Sequence, residues 1–182
     1  MIGSSSHHDY TTIEMLDEHI NQLKEAKEKL HAEAAIMVDA YWNEWKEENK
    51  RIHNLRQIKG SDDYVNTGRL APRIYSPSNT QRVYIEWWDY RKHPLRNKIK
   101  SFGKRIKPNK NGYTWACVAK NANVWEKKYF LKYEQHLDRM RVSINLICDQ
   151  INSLHKVKRL TEKKIKLEIE NTNSMSEEYN NG

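Results

Sequence analysis

Apolar residues return at alternating spacings of three and four near both ends of this 182-residue chain. The first series is Ile13, Leu16, Ile20, Leu23, Leu30, Ala34, Met37 and Tyr41, resuming with Trp45, Ile52 and Leu55. Lys27 is its one polar seam position. The second series is Phe130, Tyr133, Leu137, Met140, Ile144, Ile147, Ile151 and Leu154. Val157, Leu160, Ile165, Leu167 and Ile169 continue it less regularly. This spacing keeps apolar side chains on one helical stripe, and heptads sustained this long mark coiled-coil helices. The pattern predicts long helices over 11–59 and 119–170. Thr11 or Thr12 caps the first, Glu14 and Asp17 place negative charge near its positive end, and Gly60-Ser61-Asp62-Asp63 stops it. Helices of similar length, joined by a folded insert, pair antiparallel along their stripes. A parallel homodimeric zipper is the competing arrangement, and dimerisation of two hairpins stays open, because heptads alone do not set orientation.

Between the helices the period changes to two. In the run from Arg82 to Tyr90, Val83, Ile85 and Trp87 share one face, and Arg82, Tyr84, Glu86, Trp88 and Tyr90 the other. Arg69–Tyr75 reads as an edge strand because Pro72 cannot donate to a ladder. Ser76-Pro77-Ser78-Asn79 reads as the turn between them. Lys98–Lys107 is expected as a third strand bent at Gly103, and Tyr113–Val118 as a fourth. The expected fold class is therefore α+β: a long antiparallel helical hairpin with a small antiparallel β-sheet module inserted at its tip. Its expected parts are a disordered 1–10, a helix over 11–59, the β-module over 60–118, a helix over 119–170 and a disordered polar tail, 171–182.

Charge changes this picture. From Arg69 to Asn111 there are twelve basic residues and two acids, Glu86 and Asp89, a local balance of +10. The whole chain carries +8, so everything outside the module is left at −2. A basic, aromatic module on a balanced support points first to a polyanion, and above all to nucleic acid. The candidate DNA-binding residues are Arg82, Arg91, Lys92, Arg96, Lys98, Lys100, Lys104, Arg105, Lys107 and Lys110. Lysines suit phosphate, whereas Arg91, Arg96 and Arg105 suit guanine edges because guanidinium bonds in pairs. Tyr84, Trp88 and Tyr90 are candidates for base stacking; Val83, Ile85 and Trp87 are expected in the core. The bland alternative is that edge-strand lysines merely block sheet-to-sheet aggregation.

Other chemistry finds little support. Cys117 and Cys148 form no CxxC pair, and the eight histidines show no zinc-ligand spacing, so no metal or cofactor is expected. There is no P-loop, no Gly-x-Ser-x-Gly and no dinucleotide-binding turn, so no enzyme is expected. Glu86 and Asp89 suit ion pairing better than catalysis. No apolar run approaches a membrane span and no signal peptide is visible, which predicts a cytoplasmic protein without a membrane partner.

The stretch Arg69-Leu70-Ala71-Pro72-Arg73 through Arg82-Val83-Tyr84-Ile85-Glu86-Trp87-Trp88 resembles the MobI family of conjugative transfer proteins. The resemblance spans most of 30–135, with the Tyr41-Trp42 and Trp87-Trp88 pairs inside it. It implies a bacterial accessory factor of a mobile element that recognises the origin of transfer, in double-stranded DNA, and assists a separate relaxase. The alternative is a coiled-coil structural or interaction protein whose basic sheet caps the hairpin or binds an acidic partner.

Overall fold

The computed structural model describes residues 5–57, 66–78, 80, 82–91, 103–110 and 112–180. Helix α1 spans Ser5–Gln57, and strands β1 and β2 span Leu70–Tyr75 and Tyr84–Asp89. A short β3, Lys104–Arg105, precedes a one-turn α2, Trp115–Val118, and a 3-10 turn, Ala119–Asn121. Helix α3 spans Glu126–Asn180. The fold is α+β, as the patterning predicts. Both long helices overrun their expected limits: α1 starts inside segment 1–10, and α3 continues into the tail.

The chain divides into two compact units, residues 29–145 and residues 1–28 with 146–182. In the second of these, Ile20 of α1 and Cys148 and Ile151 of α3 are buried. Lys158 Nζ donates to both carboxylate oxygens of Asp17 at 2.6 Å. His19 and Leu23 share a groove with Leu146, Asp149 and Leu154. Higher numbers on one helix meet lower numbers on the other, so the two run antiparallel here. Lys27 is buried at its polar seam position, with Nζ 3.4 Å from Glu28.

In the unit of residues 29–145 the helices are again antiparallel, and the sheet lies along them. The order is β1-β2-β3, antiparallel throughout, with Leu70 opposite Asp89, Tyr75 opposite Tyr84 and Arg105 opposite Trp88. Ile85 and Trp87 turn inward as the alternation requires, and Trp87 meets Tyr41 edge-on at 5.2 Å and Phe130 at 4.9 Å. Tyr41 is fully buried, packs edge-on to Tyr133 at 5.4 Å and donates its hydroxyl to the Leu70 carbonyl at 2.7 Å. The Trp42 indole donates to the Pro72 carbonyl at 3.0 Å. Pro72 thus sits on an outer strand, where its missing N–H costs no ladder bond.

The expected fourth strand over Tyr113–Val118 is corrected: its last four residues are helix α2. Thr114, in extended conformation, accepts from the Cys117 N–H at 3.4 Å, and this cap starts a helical turn after Tyr113. The expected third strand is paired over Lys104–Arg105 alone among the described residues. The helical stripes also shift. Val38, not Met37, takes the buried place after Ala34. Val157, Leu160, Leu167 and Ile169 are exposed; of the five residues expected to extend the α3 stripe, only Ile165 is buried.

Gly68 shows how closely chain and helices meet. A Cβ there would stand 2.8 Å from ring carbons of both Trp45 and Trp125. Neither ring is free to retreat: Trp45 donates to Glu126 at 2.9 Å and Trp125 to the Asn66 carbonyl at 3.0 Å. Gly68→Ala is expected to lower unfolding stability by about 1–3 kcal/mol, read from the urea midpoint, as overpacking does. An unchanged midpoint would show that the rings give way.

Candidate nucleic-acid interface

The basic surface is built on the segment that follows Gly103. The Ile106 N–H donates to the Trp87 carbonyl at 2.9 Å and extends the register of β3 by one bond. Ile106 is buried, and its own carbonyl accepts from the Tyr113 hydroxyl at 3.0 Å. Asn109 and Gly112 exchange two backbone bonds at 3.0 Å, and Gly112 adopts φ +82°, which an L side chain rarely tolerates. Lys104 in β3 and Lys107 and Lys110 beyond it are exposed, and none of the three has an ion pair among the described residues.

The arginines are differently placed. Arg105 pairs with Glu86 at 2.7 Å, and Arg91 with Asp89 at 3.1 Å, so the two acids of the module hold two of its arginines. Asp89 also accepts from the Arg91 N–H at 2.9 Å. Both carboxylates are buried, yet the arginine side chains remain 52% and 56% exposed. Each guanidinium has one edge committed and another facing solvent. Arg82 is exposed where the chain enters β2. Lys92, Arg96, Lys98 and Lys100 lie outside the described residues.

The second face of the sheet carries aromatics. Tyr75 and Tyr84 lie 6.5 Å apart, and the Arg73 guanidinium sits 4.8 Å over the Trp88 ring. Trp88 also covers Gly103, where an added Cβ would stand 3.0 Å from its ring. Of the three stacking candidates, Tyr84 and Trp88 sit on this face, half-buried. Tyr90 lies beside Trp88 against Gly103, where an added Cβ would stand 3.2 Å from its ring; it also packs edge-on against Trp42 of α1 at 5.1 Å, and burial raises its pKa above the ordinary tyrosine value. Arg73 and Tyr75, which the charge pattern does not single out, share this face: they follow the period-two pattern of β1 and pair opposite Glu86 and Tyr84.

Two buried carboxylates hold this surface to the helices. Glu126, fully buried, accepts at Oε1 from the Trp45 indole and the backbone N–H groups of Arg69 and Leu70 at 2.8–2.9 Å. Its Oε2 accepts from the Asn123 N–H at 2.7 Å. Burial pushes its pKa above the usual carboxylate range, against the pull of these four donors. Glu134 accepts from the Trp87 indole at 2.5 Å and from Arg141 at 2.6 Å. Arg141 in turn donates to the Ile85 carbonyl at 2.9 Å and to Asp138 at 2.6 Å, and it faces the Tyr113 ring. These carboxylates are consumed by structural bonds.

Among the described residues no group of three His, Cys, Asp or Glu side chains is placed to hold a metal ion, and no disulfide joins Cys117 and Cys148. No described helix is long and apolar enough to cross a membrane. Comparison with protein families matches residues 30–155 to the family described as MobI protein. No curated protein and no solved structure is matched.

Proposed function

Since the chain belongs to the MobI family, whose pattern covers residues 30–155, we propose that it is a non-catalytic DNA-binding accessory protein of conjugative transfer. In this reading it recognises the origin of transfer on double-stranded DNA in the cytoplasm and assists a separate relaxase. The observation that carries the DNA contact is the exposure of Lys104 in β3 and of Lys107 and Lys110 just beyond it, without acidic neighbours in ion-pair reach among the described residues. Lysines there neutralise phosphates and release counterions. Arg105, paired on one edge and half exposed, is suited to a base edge.

Mobility shifts across a salt series on origin-region DNA test the proposal. Wild type is expected to bind with a steep salt slope. Lys104→Ala/Lys107→Ala/Lys110→Ala is expected to weaken all sequences alike and flatten the slope by about 0.9 for each phosphate no longer neutralised. A slope unchanged by the triple substitution removes these lysines from the interface.

One observation favours a second reading, an interaction protein whose sheet is neutralised from within: Arg91 and Arg105 are both tied to carboxylates of their own module. No shift on any DNA, with the salt series flat, selects that reading.

A further inference from the structure

Val157, Leu160 and Leu167, which the α3 stripe fails to bury, join Leu146 in a second row. Leu146, Gln150, Ser153, Val157, Leu160, Lys164 and Leu167 follow each other at unbroken spacings of four and three. They share one flank of the unit formed by residues 1–28 and 146–182. Leu146, Val157, Leu160 and Leu167 are 60%, 48%, 58% and 49% exposed. Met15 of α1, 66% exposed, is a large apolar residue on the other helix of this unit. The groove between His19, Leu23, Leu146 and Leu154 opens within the same unit. A row at heptad spacing with four exposed apolar residues among seven, outside the seam that already pairs the two helices, is the pattern of a second helix-packing interface.

Charge identifies what covers it. Beyond the seam α1 carries an exposed acidic row, Glu14, Glu18 and Glu25, while α3 carries an exposed basic row, Lys156, Arg159, Lys163 and Lys166. The Asp17–Lys158 bond fixes their heights, placing Glu14 and Glu18 level with the stretch from Lys156 to Lys163. On the helical wheel each charged row borders the apolar flank on its outer side. We infer that this flank is the interface of a homodimer, in which a second copy packs by a two-fold axis parallel to the helices. That operation sets the partner's acidic α1 beside this chain's basic α3, antiparallel, and repeats the pairing on the other side. The stretch from Leu146 to Leu167 is about 32 Å long at ~1.5 Å per residue. With two helices about 20 Å across, the face measures about 640 Å² in projection, near the roughly 800 Å² per partner of a stable interface.

Sedimentation equilibrium of the full chain tests the inference, independently of any DNA. The expected mass is twice the 21.8 kDa of one chain. Val157→Glu/Leu160→Glu, at exposed positions, should yield a monomer with unchanged helical circular dichroism. Glu14→Lys/Glu18→Lys and Lys156→Glu/Lys163→Glu should each weaken dimerisation about tenfold or more, and their combination should restore it. A monomer persisting at about 100 μM, where a Kd far weaker than micromolar would be implied, overturns the proposal. So does a dimer indifferent to the glutamates at 157 and 160. A dimer lost with those glutamates but blind to the charge exchange overturns the two-fold arrangement.

Discussion

Arg141→Met is expected to cost about 3–5 kcal/mol of unfolding free energy, the range seen when one partner of a buried ion pair is removed. The reason lies in what stays behind. Glu134 is 7% exposed, and among the described residues Arg141 is its only cationic hydrogen-bond partner, at 2.6 Å. Methionine fills the space of the side-chain stem but leaves the carboxylate buried against Trp87. It also orphans the Ile85 carbonyl in the middle strand. Burial already raises the pKa of Glu134, and Arg141 is the main influence holding it down. Adding Glu134→Gln should recover most of the loss, because the amide oxygen still accepts from the Trp87 indole and no charge remains to be desolvated. Urea unfolding of the two variants decides it. A loss under about 1 kcal/mol for Arg141→Met would falsify the view that this network clamps the sheet to α3.

Glu126→Ala should be nearly as damaging, by about 3–4 kcal/mol. Four N–H groups lose their acceptor at once: the Trp45 indole and the backbone of Arg69, Leu70 and Asn123. These donors come from α1, from the entry to β1 and from the turn before α3, so one carboxylate joins three parts of the same unit. Its place in the first turn of α3 adds a favourable interaction with the helix dipole, worth about 0.3–1 kcal/mol. Glu126→Gln should cost less, about 1–3 kcal/mol, because its oxygen can serve the three donors at the Oε1 position while its amide nitrogen confronts the Asn123 N–H donor to donor. Equal losses for Ala and Gln would show that charge, not acceptor geometry, is what the site requires.

Much of the fold was legible because it is periodic. Spacings of three and four place Ile20, Tyr41, Phe130, Leu137 and Ile151 in the seam, and period two places Ile85 and Trp87 inside. The expectation that Glu86 and Asp89 serve as ion-pair partners also holds. Tyr113–Val118 misled because its aromatic and β-branched residues fit a strand; Thr114, as a cap, outweighs them over so short a stretch. The stripe beyond Leu154 misled for another reason. Two rows interleave there, and only the packing shows that Lys158 belongs to the seam while Val157 and Leu160 face out.

The candidate site divides in the same way. Concentration of positive charge between Arg69 and Asn111 is a property of the chain and needed no coordinates. Which charges are available to a partner is not such a property. Arg105 is bound to Glu86, Tyr90 is drawn to Trp42, and Arg73 is laid over Trp88. Helix, strand and net charge arise from neighbours a few positions apart, so the sequence by itself determines them. Commitment of a side chain depends on groups brought close across long stretches of chain, as Glu134 is to Trp87 and Glu126 to Trp45. Tertiary packing alone decides it, because hydrogen bonds and ion pairs act over a few ångströms of space, whatever the distance along the chain.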